Sequence, residues 1–242
     1  SDWQKALPDL ASLGAHALIC FGYPQLVPEA ILALFPHGGV NLHPARLPHY
    51  RGPNPIHRLI MDNCYEPYGG VTLHKMSPAY DEGDPLAQMM IAPADWQEKA
   101  RFNRSLAAAM AQLVREAVPE YCAGTLRGEP QPAGEFTWAE ITSRLVIEPD
   151  WTIARATQLA SFYAARPGVH IRNGDELVRI AQPWKRLGDP TGEAPNLRNL
   201  TVEFDLAYER VAHLAYNRFS KWLLRMQRYL VRSGQPVPDG KI

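Results

Sequence analysis

Short apolar runs punctuated by turn formers recur through the first half of the chain. They are AHALICF at 15–21, GVNLHP at 39–44, GGVTLHKM at 69–76 and LAQMMIA at 86–92. Each is bounded by Gly, Pro or a polar cluster, the mark of a buried strand. Between them, PEAILALFP (28–36) and PIHRLIMDN (55–63) begin on Pro, which suits the first turn of a helix. Residues 97–123 place Leu106, Met110, Leu113, Val114 and Ala117 three and four apart, one stripe of a longer helix. Strands alternating with helices predict an α/β domain with a largely parallel sheet.

The second half changes character. GTLRGEPQPAGEFT (124–137) is rich in Pro and Gly and reads as a linker. PDWTIARATQLASFYAARP (149–167) contains a helix, and VHIRNGDELVRIAQ (169–182) carries an Asn-Gly turn signature between alternating runs. A last helix is expected near 202–233, with Arg210, Arg218, Lys221, Arg225, Arg228 and Arg232 interleaved with Tyr208, Tyr216, Phe219, Trp222 and Tyr229. That pattern is either a basic face for RNA or another polyanion or an amphipathic helix whose aromatics pack while its cations solvate. The apolar spacing favours packing. The expected organisation is a core over 1–123, a linker over 124–148, and a small C-terminal α+β domain over 149–242 made of helix, hairpin and terminal basic helix.

Composition narrows the classes. With 242 residues, 46% hydrophobic, and 25 basic against 25 acidic side chains, the chain has ample material for a core and no net charge to drive nucleic-acid binding. No window approaches the ~20 apolar residues of a membrane span, and the first residues carry no secretory signal. Cys20, Cys64 and Cys122 are far apart with no CxxC. A cytoplasmic, reducing setting is the expectation.

The chemistry concentrates in residues 39–88. Asn41 and His43 are two apart on one strand, so both side chains point to the same face, and Pro44 ends the strand just beyond them. Open α/β sheets bind ligands at that carboxyl edge. Asp81 follows in the loop YDEGDP. Together they offer an amide donor for a developing oxyanion, an imidazole able to move a proton near neutral pH and a carboxylate to orient it. Such a set suits attack of an amine on a carbonyl carbon. Asn-x-His is also how a polar pair satisfies itself at a strand end, and spacing alone leaves both readings open. His37, His43, His49, His57 and His74 invite a zinc reading, but neither HExxH nor a helical HxxxH pair occurs, and no metal is expected. Cys20 reads as a small hydrophobe before a nucleophile.

NLHPARLPHYRGPNPIHRLI and GVTLHKMSPAYDEGDPLAQ closely resemble the 10-formyltetrahydrofolate-dependent formyltransferase family. The family pattern is Asn-x-His on a strand, then Leu-Pro with a following Gly, then Asp-x-Gly. Here these are Asn41 and His43, Leu47-Pro48 with Arg51-Gly52, and Asp81 with Gly83. The resemblance implies that Asn41, His43 and Asp81 are catalytic and that 10-formyltetrahydrofolate is the co-substrate. It implies a truncated Rossmann-like formyltransferase core plus a small C-terminal α+β appendage. Phe21, Gly22, Tyr23, Gln25, Leu26 and Val27, with Tyr80 opposite, match the loops that hold the folate. The implied activity is N-formyl transfer to an amine, with a small-molecule acceptor favoured, methionyl-tRNA the alternative, and hydrolysis to formate or a catalytically inactive folate- or partner-binding module as further readings. The family pattern leads one to expect roughly half a Rossmann unit before the strand at 15–21, so the expectation is a fragment, a truncated homologue or a sheet completed by another chain. A partner chain or a second copy is one way to cover the incomplete sheet. The stretch after the linker resembles the entry into a small β-barrel, whereas the pattern from 202 onward reads as helix.

Overall fold

The computed structural model describes residues 3–23, 25–140, 145–163, 168–191, 195–198, 201–206 and 210–215. The chain divides into two compact units, Ser1–Ile141 and Thr142–Ile242. Among the described residues no helix is long and apolar enough to cross a membrane.

The first unit runs α1 (Trp3–Ser12), β1 (Leu18–Phe21), α2 (Glu29–Leu32), β2 (Gly39–His43), α3 (Pro55–Asp62), α4 (Tyr65–Tyr68), β3 (Gly70–Lys75), β4 (Pro85–Met90) and α5 (Lys99–Cys122). Its four strands lie in the order β1-β2-β3-β4. The α/β class holds, but the sheet is mixed. β1 and β2 are parallel, while β2–β3 and β3–β4 are antiparallel. The reason is connection length and route. The loop 76–84 is too short to carry a crossover back to the far end of the sheet, so β4 returns beside β3 as a hairpin. The β2–β3 connection, through α3 and α4, delivers the chain back to the end at which β2 finished, so that His43 pairs with Thr72 and Asn41 with His74.

Alternation along these strands makes two kinds of interior. Val40, Leu42, Val71 and Leu73 are at most 5% exposed and join Leu59 and Ile60 of α3 in the apolar core. α5 packs against β3 and β4 and buries Phe102, Leu106, Ala109, Met110, Leu113 and Ala117, the stripe that its sequence announces. Trp96 is fully buried, with Phe102 at 4.5 Å and Tyr65 stacked at 5.5 Å. Leu7, Leu10, Leu18 and Met76 pack against Val27, Ile31 and Phe35. The segment 124–140 forms no helix, and its Trp138 makes an isolated bridge with Arg51.

The second unit contains β5 (Leu145–Ile147), α6 (Ile153–Tyr163), β6 (Val169–Asn173), β7 (Glu176–Gly188), β8 (Asn196–Arg198), β9 (Thr201–Asp205) and β10 (Arg210–Ala215), in one sheet ordered β5-β6-β7-β10-β9-β8. The expected hairpin forms between β6 and β7. Asn173 pairs with Glu176, so the turn residues are Gly174 and Asp175, with Gly174 at φ +59°. The helix expected from 202 is corrected over Thr201–Asp205 and Arg210–Ala215, which form two antiparallel strands. TVEFD alternates apolar and polar positions at period two, which fits a strand with one buried face, and the resemblance to a barrel entry was the better guide there. Most of the expected basic helix, from Arg218 to Arg232, lies outside the described residues.

Candidate active site

The end of β2 is where the sheet stops being apolar. Asn41 and His43 share a face by strand alternation, and antiparallel pairing brings His74 and Thr72 of β3 directly opposite them. His43, Thr72 and His74 are each at most 3% exposed, so their polar atoms need partners. Thr72 donates to the Ala45 carbonyl (2.7 Å) and accepts from the Leu47 amide (3.1 Å), which fastens the loop after β2 to β3. Gln88 of β4 adds bonds to the Leu47 carbonyl (2.8 Å) and to Thr72 (3.0 Å).

Donor chemistry fixes the two imidazoles. His43 Nε2 lies 2.7 Å from the Tyr50 carbonyl and His74 Nδ1 lies 2.7 Å from the Lys75 carbonyl. A carbonyl only accepts, so both of these nitrogens carry hydrogen. That leaves His43 Nδ1 and His74 Nε2 as the atoms able to take a proton, and both face Asp81. His43 Nδ1 is 3.4 Å from Asp81 Oδ2, and His74 Nε2 is 3.4 Å from Asp81 Oδ1. Asn41 Nδ2 reaches His74 Nε2 at 3.1 Å and Asp81 Oδ1 at 3.4 Å. The Gly52 amide donates to Asp81 Oδ2 at 2.8 Å. Burial alone would raise the Asp81 pKa, but the contacts with His43 and His74, which become hydrogen bonds when those rings are protonated, and the Gly52 amide together hold it well below the usual carboxylate range. Asp81 is therefore an anion near neutral pH.

Loop geometry explains the motif glycines. Gly52 has φ +107°, and a Cβ there would sit 2.9 Å from the Trp138 ring. A Cβ on Gly83 would run into the Lys75 carbonyl. Asp81 itself sits at φ +54°, a left-handed conformation that a non-glycine residue adopts only when its surroundings enforce it.

The catalytic candidates stand between two clefts. The first is lined by Cys20, Tyr23, Gln25, Leu26, Val27, Met76, Ser77, Ala79 and Tyr80, together with Asn41, His74 and Asp81. The second, of about 330 Å³, is lined by Phe21, Gly22, Leu42, Pro44, Pro53, Asn54, Pro55 and Ile56 with His43 and Gly52, and it shares Tyr23, Asn41, Tyr80 and Asp81 with the first. Five of the expected folate contacts (Tyr23, Gln25, Leu26, Val27 and Tyr80) line the first cleft. Phe21 and Gly22 line only the second. Gly22 at φ +61° turns the chain between the two. The first cleft, of about 50 Å³, offers apolar and aromatic walls beside the polar side chains of Asn41, His74 and Asp81. Burial pushes the Cys20 thiol up, which makes it a protonated wall atom. Among the described residues no group of three His, Cys, Asp or Glu side chains could hold a metal ion.

Two participants escape sequence reasoning. His74 reads as an ordinary strand residue until the β2–β3 register is known. Gln131 lies in the expected linker, yet it donates to the carbonyls of Asp81 (2.7 Å) and Gly83 (2.8 Å) and accepts twice from Arg51 (2.6 and 3.1 Å).

Residues 3–118 match the formyl transferase family model. A methionyl-tRNA formyltransferase from Listeria monocytogenes is 32% identical over 181 residues, which cover 75% of this chain and 52% of that protein. The chain thus spans about half the length of that curated relative. HypX from Aquifex aeolicus, solved in complex with tetrahydrofolic acid, shares the fold with a TM-score of 0.61 at 20% identity, over 86% of this chain and 37% of that one. An N-formyltransferase from Helicobacter canadensis, in complex with folinic acid and dTDP-3-aminofucose, superposes with a TM-score of 0.56 at 16% identity, over 80% of this chain and 71% of that one. The stretch that holds Asn41, His43 and Asp81 at the end of β2 thus lies within the 3–118 segment over which the chain is similar to the formyl transferase family.

Proposed function

We propose that this chain transfers a formyl group from 10-formyltetrahydrofolate to an amine. The observation that carries the proposal is the meeting of Asn41, His43 and Asp81, within 3.4 Å contacts, on the wall between two clefts. When bound, the folate supplies a formyl carbon open to attack by an amine. Tyr23, Leu26, Val27 and Tyr80 would hold its ring in the first cleft, and the amine would enter from the second, against His43.

The residues divide the work by atom. His43 cannot use Nε2, because that nitrogen donates to Tyr50. Its Nδ1 would take the proton of the attacking amine, directly or through one water, Asp81 Oδ2 would stabilise the resulting imidazolium, and the same proton would pass to the folate nitrogen as its bond to the formyl carbon breaks. Asn41 spends one amide hydrogen on His74 Nε2. The other makes only a long contact to Asp81, 3.4 Å, at the weak end of hydrogen bonding. That hydrogen is the one available to a formyl oxygen as negative charge develops on it. His74 therefore orients the Asn41 amide while its own far nitrogen is fixed by Lys75.

For the acceptor we favour a small amine. A cleft of about 330 Å³ with apolar walls lies in the size range of small-molecule sites. Methionyl-tRNA is the second reading, favoured by the 181-residue similarity to a methionyl-tRNA formyltransferase, which extends beyond the matched family segment. Transfer of radiolabelled formyl from 10-formyltetrahydrofolate to a panel of amino sugars, amino acid amines and methionyl-tRNA tests both, with formate release followed in parallel. Labelled small amines support the favoured acceptor, and labelled methionyl-tRNA alone replaces it. Formate without transfer selects hydrolysis. Folate binding without turnover overturns the enzymatic reading.

A further inference from the structure

We infer that the segment 127–139, a linker by composition, is a brace for the catalytic carboxylate, and that Gln131 is its positioning residue. The Gln131 amide has two N–H donors and one oxygen with two lone pairs, and all are used. Both donors hold backbone carbonyls in the Asp81 loop, those of Asp81 and Gly83, while the oxygen accepts from Nε and Nη2 of Arg51. One half-buried side chain thus ties the loop after β3 to the loop after β2. The backbone repeats the tie. The Ala139 amide donates to the Arg51 carbonyl (2.7 Å), and the Asn54 amide donates to the Ala139 carbonyl (3.1 Å). The Arg51 guanidinium lies over the Phe136 ring, 5.2 Å from its centroid, and Trp138 covers Gly52.

What makes this more than packing is the order of residues 50 to 52. The Tyr50 carbonyl fixes His43, the Arg51 side chain grips Gln131, and the Gly52 amide holds Asp81. Asp81 is also the residue whose left-handed backbone must be held in place, and Gln131 bonds to its carbonyl directly. Releasing Gln131 frees that carbonyl and loosens the grip of Arg51 on the same loop. The carboxylate then loses its setting against His43 without any change to the atoms that react. The inference rests on the proposed formyl transfer only for its kinetic arm.

Gln131→Met keeps the side-chain volume and removes all four bonds. Gln131→Glu keeps an acceptor for Arg51 but turns an anion toward two carbonyls. In formyl transfer, Gln131→Met lowers kcat on the order of 10- to 100-fold, the scale of a small misplacement of a catalytic group, with KM for the amine nearly unchanged. In an Asp81→Asn background the same change has little further effect, because both substitutions act through one group. Independently of activity, hydrogen exchange accelerates in peptides covering 49–54 and 77–84 but not in β3. Gln131→Glu reproduces the loss in both readouts. An equal fold loss in the Asp81→Asn background, or unchanged exchange in both loops, overturns the brace. Accelerated exchange in a protein that transfers no formyl group supports the brace and overturns only the proposed reaction.

Discussion

β2 and β3 carry two interiors on alternate residues, and the contrast between them shows what each face of a strand can tolerate. Val40, Leu42, Val71 and Leu73 are held by burial, which has no direction and scales with the area removed from water. His43, Thr72 and His74 are buried just as deeply, but each is held by one short bond to one carbonyl: Tyr50, Ala45 and Lys75. The apolar face accepts any neighbour of similar volume. The polar face has a single satisfactory arrangement, and departing from it leaves a buried carbonyl or ring nitrogen without its partner.

The largest effect expected is on the polar face. His43→Ala removes the proposed proton acceptor and is expected to lower kcat by roughly 10²- to 10⁴-fold, with a clear drop in unfolding midpoint because the Tyr50 carbonyl loses its donor. Asn41→Ala follows at about 10²- to 10³-fold, the usual loss for one oxyanion donor, and circular dichroism is unchanged. A variant at either position that keeps wild-type turnover breaks the comparison. On the apolar face, Leu73→Ala costs about 2–5 kcal/mol of stability, read by urea unfolding, whereas kcat per folded molecule stays near wild type. Leu73→Met costs less than about 1.5 kcal/mol. Gly52→Ala sharpens the boundary between the two faces. Its φ of +107° and the nearby Trp138 ring predict about 1–3 kcal/mol of strain, together with a loss of turnover that no core substitution produces.

The smallest effect at neutral pH comes from acid. The Asp81 pKa is lowered in the folded protein, so the unfolded chain binds its proton first as pH falls. The stabilisation is complete above the unfolded value of about 3.9 and declines as pH drops below it toward the folded value. Asp81→Asn therefore flattens stability against pH in the range below about pH 4. An unfolding series at fixed ionic strength reads this.

Legibility in the sequence follows the range of the signal. Asn41 and His43 are visible because period two is local. The strands around them are visible for the same reason, as is the α5 stripe. Asp81 needs the family resemblance to be picked from the other acids. His74 becomes part of the site only through the register of β2 against β3, and the expectation of a largely parallel sheet hid that pairing. Gln131 acts across 50 residues of chain, from a segment whose Pro and Gly content says that it is not regular structure but not where it lies. Phe21 and Gly22 belong to the second cleft because of a backbone turn at Gly22, a matter of dihedral angles that a loop match does not carry. The aromatics and cations interleaved from Tyr208 to Arg232 read as helix, whereas the period-two alternation in TVEFD is the mark of a strand.

Trp138 gives the site an intrinsic optical reporter. It is 45% exposed, meets Tyr80 edge-on at 6.3 Å and rests against Gly52, whereas Trp96 and Trp151 are 0% and 4% exposed. Emission from an indole placed there responds to filling of the neighbouring cleft. A pterin chromophore beside Tyr80 would quench it, so folate occupancy can be titrated by fluorescence without a label, and Trp138→Phe supplies the blank.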